Sequence, residues 1–425
     1  MTAKILEILD KNRPNPSAWV RLSDFKSREA ADISARYVLE KDNVSLYCLD
    51  LTGERFIFVE SNPAVDLSEA PFFFQAQFEH AHRLIAVPFN ELHALVDDIQ
   101  VDDEALILLY SVGRCGSTLL SDVFNQLDDV ASLSEPDVFT DLLKMRMAGK
   151  QQDAQIKRLL KSSIVALMKP LMAKRPLKTA IKFRSYGIEL IDLISALFPN
   201  AKNLFMYRNA EDWARSTAKA FQKLESAKGS VGSESERLWA QRSDKLARMS
   251  QTIFGQSAPT PLQKVMHRLD GRAGVLSQHS LMLRATFFPA VRPYMADLLQ
   301  GNLSRIEYIS LEWVSGMCRF LESQQQEIPI LPFRYEELIA APDVVLSQIF
   351  DYCGLEKTAV SQTLHTFEKD SQRGTNLART AVQQHSNNHL TEQHLTQLRQ
   401  LVQKFPELGT TDVVLPGTVE IVDGV

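Results

Sequence analysis

The chain has 425 residues, 45% of them hydrophobic and 23% charged, and a formal net charge of −5. The length allows two domains or one large domain with an addition, and the lack of a basic excess argues against nucleic acid binding. The lack of a leader and of an apolar run of transmembrane length predicts a cytoplasmic protein with no membrane span. The cysteines are scattered, with no pair at the spacing of metal ligands, which predicts a reduced protein.

Residues 1–100 are predicted to form a small α+β domain, to which the sequence assigns no role. Apolar spacing predicts helices over residues 1–11 and 29–39. Two β-rich runs, residues 44–49 and 55–59, are separated by a Thr-Gly turn and predict a hairpin. Helical spacing also occurs in the following aromatic-rich stretch, at Phe73, Gln77, His80 and Leu84.

A second domain is predicted from residue 101, beginning with the stretch 105–127, ALILLYSVGRCGSTLLSDVFNQL. Its apolar start predicts a strand buried on both faces, and its end predicts an amphipathic helix. The connection, residues 112–118, is called the glycine loop below. A strand, a glycine loop and a helix N-terminus together form a phosphate-binding geometry, because backbone N–H groups and the helix dipole point at one place. An ordinary βα turn with two glycines is the alternative.

The glycine loop differs from the nucleoside-triphosphatase P-loop G-x-x-x-x-G-K-[ST]. Gly116 precedes Ser117, where the P-loop has lysine, and the cation of this loop is Arg114. Its glycines allow close approach of an anion, and Ser117 and Thr118 add hydroxyl donors.

Two further strands are predicted to end near the same sheet edge. Residues 179–183 form a buried strand that carries Lys182 and is followed by Arg184. Residues 203–207 form another strand, and Arg208 follows it directly. Ser216 lies two turns into the next helix, so it and Arg208 could converge on one anion.

The remaining chain contains a helical insertion over residues 218–330 that is predicted to form an acceptor pocket. A strand is predicted over residues 328–334. The second domain is predicted to end at residue 410, and residues 411–425 form a strand or tail.

These motifs resemble those of sulfotransferases that use 3′-phosphoadenosine 5′-phosphosulfate (PAPS). GRCGSTLL resembles their 5′-phosphosulfate loop, and Arg208, Asp212 and Ser216 fit their R-x-x-x-D/E-x-x-x-S signature. The run from IKFRSYG to NAEDWARS is similar to protein-tyrosine sulfotransferases and bacterial relatives. The resemblance covers residues 105–375 and implies a three-layer α/β, P-loop-like fold with a central parallel sheet.

The resemblance also implies site residues and a co-substrate. PAPS would donate a sulfuryl group to a hydroxyl or amine, with no metal required. Its 5′-phosphate end would be bound by the glycine loop, through Gly113, Arg114, Cys115, Gly116, Ser117 and Thr118. Arg208 and Ser216 would bind the 3′-phosphate, and Lys182 would stabilise charge on the leaving phosphate, with a solvated surface lysine as its alternative role. Arg373 and Gly374 loosely resemble a C-terminal loop that closes over the nucleotide, although its R-K-G form is not kept.

The general base is implied to be Glu135. Small-molecule sulfotransferases place a histidine after the second strand in a K-T-H motif, where this chain has Lys182-Phe183-Arg184. Protein-tyrosine sulfotransferases instead use a glutamate C-terminal to the loop, and Glu135 stands at the matching spacing. Helix capping before Pro136 is the alternative role for this residue.

Two other functions stay open from the sequence. A P-loop nucleotide kinase or NTPase is disfavoured by the missing G-K-[ST] and by the missing aspartate for magnesium. A non-catalytic nucleotide-binding adaptor is disfavoured by the intact set of charged residues. The acceptor could be a small molecule, a carbohydrate, a lipid or a peptide, and the sequence fixes no oligomeric state.

Overall fold

A computed structural model describes residues 1–13, 18–148, 152–172, 178–220, 285–300, 302–373 and 390–421. The chain divides into two compact units. The first contains Met1–Arg208, Phe320–Arg379 and Val414–Val425, and the second contains Asn209–Arg319 and Thr380–Val413. The domain boundaries placed at residues 100 and 410 stay predictions.

The N-terminal part of the first unit is an antiparallel five-stranded sheet in the order β2-β1-β5-β4-β3. Its strands are β1 (Thr2–Lys11), β2 (Phe25–Ser34), β3 (Val44–Asp50), β4 (Arg55–Ser61) and β5 (Ala81–Pro88). Helices α1 (Tyr37–Glu40), α2 (Phe73–His80) and α3 (Phe89–Asp97) accompany it. The hairpin predicted for β3 and β4 is confirmed. Helical spacing at Phe73 and Gln77 is confirmed by α2, whereas Leu84 lies in β5.

The helix predicted over residues 1–11 is wrong, because these residues form β1. The helix predicted over residues 29–39 is wrong up to Ser34, where β2 ends, and only its last residues, from Tyr37, are helical in α1. Strand β1 shifts register between Lys4 and Leu6 and again between Ile8 and Asp10. The first shift places its extra residue on β2, so β1 alternates regularly there, and Ala3 and Leu6, three residues apart, are buried on opposite faces of the sheet. Apolar residues three positions apart are also typical of a helix, which is why the sequence predicted one here. Strand β2 contains good helix formers, but its pairing with β1 overrides that propensity.

The rest of the first unit is built on a parallel five-stranded sheet in the order β10-β9-β6-β8-β7. Its strands are β6 (Leu106–Ser111), β7 (Val130–Ser134), β8 (Lys178–Lys182), β9 (Lys202–Tyr207) and β10 (Ile330–Arg334). Strand β6 is central and fully buried, as its apolar sequence predicts. The α/β fold class is confirmed. Because all five strands are parallel, their carboxyl ends meet at one edge.

The helices that follow, in chain order, are α4 (Ser117–Asn125), α5 (Val138–Ala148), α6 (Asp153–Met172), α7 (Ile191–Leu197), α8 (Ala210–Ala220), α9 (Met295–Gln300), α10 (Arg305–Gln325), α11 (Tyr335–Ala340), α12 (Pro342–Cys353), α13 (Val360–Thr363) and α14 (Glu392–Val402). The chain after β8 forms a 3₁₀ helix over Ser185–Leu190 and continues directly as α7. No helix in the described part of the chain is long and apolar enough to cross a membrane.

The second unit joins α8 to α14 and to the chain after α14. The Arg399 guanidinium forms an ion pair of 2.7 Å with Glu211, and the Ala210 N–H donates to the Thr411 carbonyl at 2.8 Å. Most of the predicted insertion, residues 221–284, lies outside the described residues.

Candidate active site at the carboxyl ends of the parallel strands

The glycine loop leaves β6 and enters α4 with a left-handed backbone at three positions. These are Gly113 (φ +72°), Arg114 (φ +49°) and Gly116 (φ +86°). Glycine is required at position 116, because a Cβ there would lie 2.7 Å from ring carbons of Tyr335. The N–H groups of the first turn of a helix have no partner within that helix, so this tight entry suits anion binding.

The side chains of the glycine loop are turned in different directions. Cys115 is fully buried, and its Sγ donates to the Met206 carbonyl at 3.3 Å. Burial raises the pKa of this thiol to about 11, so it stays protonated at neutral pH. Only the backbone of Cys115 can therefore face an anion. Ser117 Oγ lies 3.3 Å from Ser111 Oγ, and Thr118 Oγ1 faces Lys182.

Arg114 is a partly buried cation, and no carboxylate of the described residues pairs with it. Its Nη1 donates to Gln372 Oε1 at 3.3 Å, and its buried Nε has no hydrogen-bond partner among the described residues. Burial, and then the neighbouring Arg208 guanidinium, lower the pKa of Arg114. Two neighbouring guanidinium groups, one of them without a carboxylate partner, favour an anion between them.

Lys182 and Glu135 form an ion pair where β7 and β8 end. Ser134 and Lys182 are register partners, and the Glu135 N–H donates to the Lys182 carbonyl at 2.7 Å. Lys182 Nζ bonds to Glu135 Oε1 and lies 3.5 Å from Thr118 Oγ1. The Lys182 side chain is only 4% exposed, which excludes the role of a surface lysine. Glu135 has a left-handed backbone (φ +61°), which is uncommon for a residue with a side chain.

A second cation and carboxylate lie beside this pair. Arg184 Nε is 2.7 Å from Asp137 Oδ1 and 3.9 Å from Glu135 Oε2. The Arg184 guanidinium also lies 4.1 Å from the ring centre of Phe74, and the Val20 N–H donates to Asp137 Oδ2 at 2.6 Å. The N-terminal residues thus contact the groups that surround Glu135.

Arg208 follows the end of β9 and contacts the first two residues of α11, the helix after the neighbouring strand β10. Its guanidinium is 4.5 Å from the ring centre of Tyr335, and its Nε is 3.9 Å from Glu336 Oε1. The same Tyr335 ring packs against Gly116. One aromatic side chain therefore connects Arg208 to the glycine loop.

Three predicted residues are not brought into this arrangement by the described contacts. Ser216 is half-buried on α8 in the second unit, so its convergence with Arg208 stays a prediction. Arg373 is exposed in a turn. Gly374 lies outside the described residues.

The sequence did not single out several residues that contact the site. Gln372 precedes the predicted Arg373 and is the residue that reaches Arg114. Tyr335 and Asp137 each follow closely after a strand end, and this position was a usable signal. Asp122 lies one turn after Thr118 on α4, and burial raises the pKa of its carboxyl to about 7 against the opposing effect of Lys182.

Comparisons with known proteins give one family match. Residues 104–400 match the family described as "Sulfotransferase domain". No curated protein gives a significant match to the chain.

The solved structures that are similar to this chain include two sulfotransferases of low identity. Mouse sulfotransferase SULT7A1 complexed with PAP has 13% identity and a TM-score of 0.34, covering 74% of this chain and 88% of that chain. A sulfotransferase from Alicyclobacillus acidocaldarius has 12% identity and a TM-score of 0.29, covering 62% of this chain and 94% of that chain. Since the family match covers well over half of the chain, the protein belongs to the sulfotransferase domain family.

Proposed function

We propose that the protein transfers a sulfuryl group from PAPS to a hydroxyl or amine acceptor, with Glu135 as general base. The observation that carries this proposal is Arg114, a partly buried cation beside Arg208 that has no carboxylate partner among the described residues. Burying a cation without an opposite charge is unfavourable, so a chain that keeps one in a glycine loop favours an anionic ligand. A nucleotide with phosphates at both ends supplies one anion for each arginine.

The residues suit the two ends of such a donor. Arg114 and the N–H groups at the start of α4 would bind the 5′-phosphate, and Arg208 with Ser216 would bind the 3′-phosphate. The Tyr335 ring packs against both Gly116 of the glycine loop and the Arg208 guanidinium. It would therefore set the distance between the site for the 5′-phosphate and the site for the 3′-phosphate.

The transfer itself breaks the bond between sulfur and the bridging oxygen of the donor, and forms a bond between sulfur and the acceptor atom. The acceptor proton would pass to Glu135, and 3′-phosphoadenosine 5′-phosphate (PAP) would leave. Lys182 contacts both Glu135 and Thr118, which places a cation between the base and the glycine loop. It would stabilise the charge that develops on the leaving phosphate.

The acceptor would present a hydroxyl or amine on a small molecule, a carbohydrate, a lipid or a peptide. A hydroxyl is a poor nucleophile until a base removes its proton, and this removal is worth roughly 10²–10⁴-fold in rate. The Lys182 contact and the nearby Arg184 hold the Glu135 carboxylate in place for this step.

Calorimetry on the full chain tests the donor site by comparing PAP with ADP and with ATP–Mg²⁺. We expect a clear preference for PAP without metal, lost in Arg208→Ala and kept in Arg28→Ala, a control at an exposed arginine on β2. Preference for ATP–Mg²⁺ would reject the proposal and favour a kinase. Equal binding of all three, or of none, would favour an adaptor.

A further inference from the structure

The segment 414–421, called the C-terminal segment below, packs against the first unit although its sequence suggested no role. The Val419 N–H donates to the Pro332 carbonyl of edge strand β10 at 3.0 Å. Gln324 Nε2 donates to the Pro416 carbonyl at 2.9 Å. Leu415 and Val419 are buried, so this segment is part of the folded unit.

The C-terminal segment also binds the last residue of β9. The Leu415 N–H donates to the hydroxyl of Tyr207 at 3.1 Å, and Thr418 Oγ1 lies 2.7 Å from the same hydroxyl. Thr418 Oγ1 is in turn 2.7 Å from the Leu415 carbonyl, to which it can donate. Tyr207 is 1% exposed, so its hydroxyl forms its hydrogen bonds with the C-terminal segment rather than with water.

The C-terminal segment therefore contacts both β9, which Arg208 follows, and β10, which Tyr335 follows. Arg208 follows Tyr207 directly, and Tyr207 is the register partner of Arg334 on β10. Tyr335, which packs on the Arg208 guanidinium, follows Arg334. The C-terminal segment bonds to β9 at Tyr207 and to β10 at Pro332, two residues before Arg334.

We propose that the C-terminal segment positions Arg208 for the 3′-phosphate of the nucleotide through the contact between Thr418 and Tyr207. The inference rests on the proposed function, since it assumes a donor with a 3′-phosphate. Bidentate binding of phosphate by arginine requires a fixed orientation of the guanidinium plane. Tyr207 and Thr418 are positioning residues, and neither has to touch the nucleotide.

The test compares the dissociation constants of PAP and of 5′-AMP, which lacks the 3′-phosphate, by calorimetry on the full chain. The dissociation constant of 5′-AMP divided by that of PAP is the ratio that isolates the 3′-phosphate contribution, and it is high when this phosphate strengthens binding. We expect Thr418→Val to lower this ratio about 5-fold, as loss of one hydrogen bond would, while the 5′-AMP constant stays within about 2-fold. Thr418→Ser keeps the hydroxyl and should keep the ratio.

Thr363→Val is the matched control, because its buried hydroxyl donates to the Val360 carbonyl at 2.8 Å and contacts neither Tyr207 nor the glycine loop. It should leave the ratio unchanged. If Thr418→Val does not fold, as judged by its thermal transition, Tyr207→Phe removes the other hydroxyl of the same contact.

The outcomes separate the inference from the proposed function. A wild-type ratio near one rejects the proposed donor site, and the inference with it. A high wild-type ratio that Thr418→Val and Tyr207→Phe leave unchanged overturns the inference alone. Equal weakening of both nucleotides also overturns it, since that result would mean a general structural role.

Discussion

At the scale of one residue, Arg114, which we propose binds the 5′-phosphate, should lower the stability of the protein when no nucleotide is bound. Replacing it with Met should raise the free energy of unfolding by about 1 kcal/mol, because a partly buried charge without a carboxylate partner is removed. The same change should weaken PAP binding at least about 10-fold, through loss of charge-assisted hydrogen bonds. Thermal unfolding and calorimetry measure the two effects. Lower stability together with unchanged PAP affinity would contradict this view of Arg114.

Glu135 should affect turnover far more than binding. Glu135→Gln keeps the size of the side chain but cannot accept a proton, so we expect kcat to fall roughly 10²–10⁴-fold while the PAP dissociation constant changes less than about 3-fold. Glu54→Gln is the control, because Glu54 is an exposed glutamate that also has a left-handed backbone (φ +51°). The measurement is PAP release with an acceptor found by screening. Full turnover in Glu135→Gln would mean that another group is the base.

Part of the site could be predicted from the sequence because its residues stand at fixed offsets from strand ends. Arg114 and Arg208 each follow a strand, and Lys182 is the last residue of one. Gln372 could not be predicted in the same way, because its partner Arg114 lies on a distant segment of the chain. Such pairings depend on the folded arrangement, which local spacing does not encode.

At the scale of an element, the glycine loop depends on the absence of a side chain at position 116. Gly116→Ala should lower the free energy of unfolding by about 2 kcal/mol or more and abolish PAP binding, because the backbone strain adds to an overlap with Tyr335. Gly409→Ala is the matched control, since Gly409 is also left-handed (φ +68°) but has no atom within 4 Å of the added Cβ. It should cost only the strain, about 1 kcal/mol. Equal costs at the two positions would contradict the proposed overlap.

Elements were predicted correctly where the apolar pattern of the sequence was continuous. Strand β6 is apolar along its whole length and was predicted correctly, since the centre of a parallel sheet buries both faces. Strand β1 was predicted as a helix, because Ala3 and Leu6 are three residues apart and both buried, on opposite faces of the strand. Burial on both faces depends on what packs there in the folded protein, so the sequence of β1 alone does not reveal it.

At the scale of the whole molecule, His93 should make stability depend on pH. His93 is buried, with Nδ1 2.7 Å from Ser162 Oγ. Burial, helped by Arg158 and opposed by Asp97, lowers its pKa to about 4. Between pH 6.5 and 4 the unfolded chain binds a proton that the folded chain does not, so stability falls as the pH falls through this window.

His93→Gln should therefore lose less stability than the wild type between pH 6.5 and 4. Urea unfolding at several pH values measures this, and His365→Gln, at an exposed histidine, is the control. An identical pH dependence of wild type and His93→Gln would mean that other groups cause the acid sensitivity.

The left-handed backbone at Glu135 has a consequence for how this protein can change by mutation. Replacement by any residue with a Cβ keeps the strain of this conformation, whereas glycine relieves it. Glu135→Gly should thus unfold at a higher temperature than Glu135→Ala, by an amount equivalent to about 1 kcal/mol, although both lack the carboxylate. Both replacements leave the buried Lys182 without its carboxylate partner, so the comparison between them isolates the backbone strain from the loss of that ion pair. Under the proposed function, the strained backbone at Glu135 is thus a cost in stability that accompanies the placement of the base.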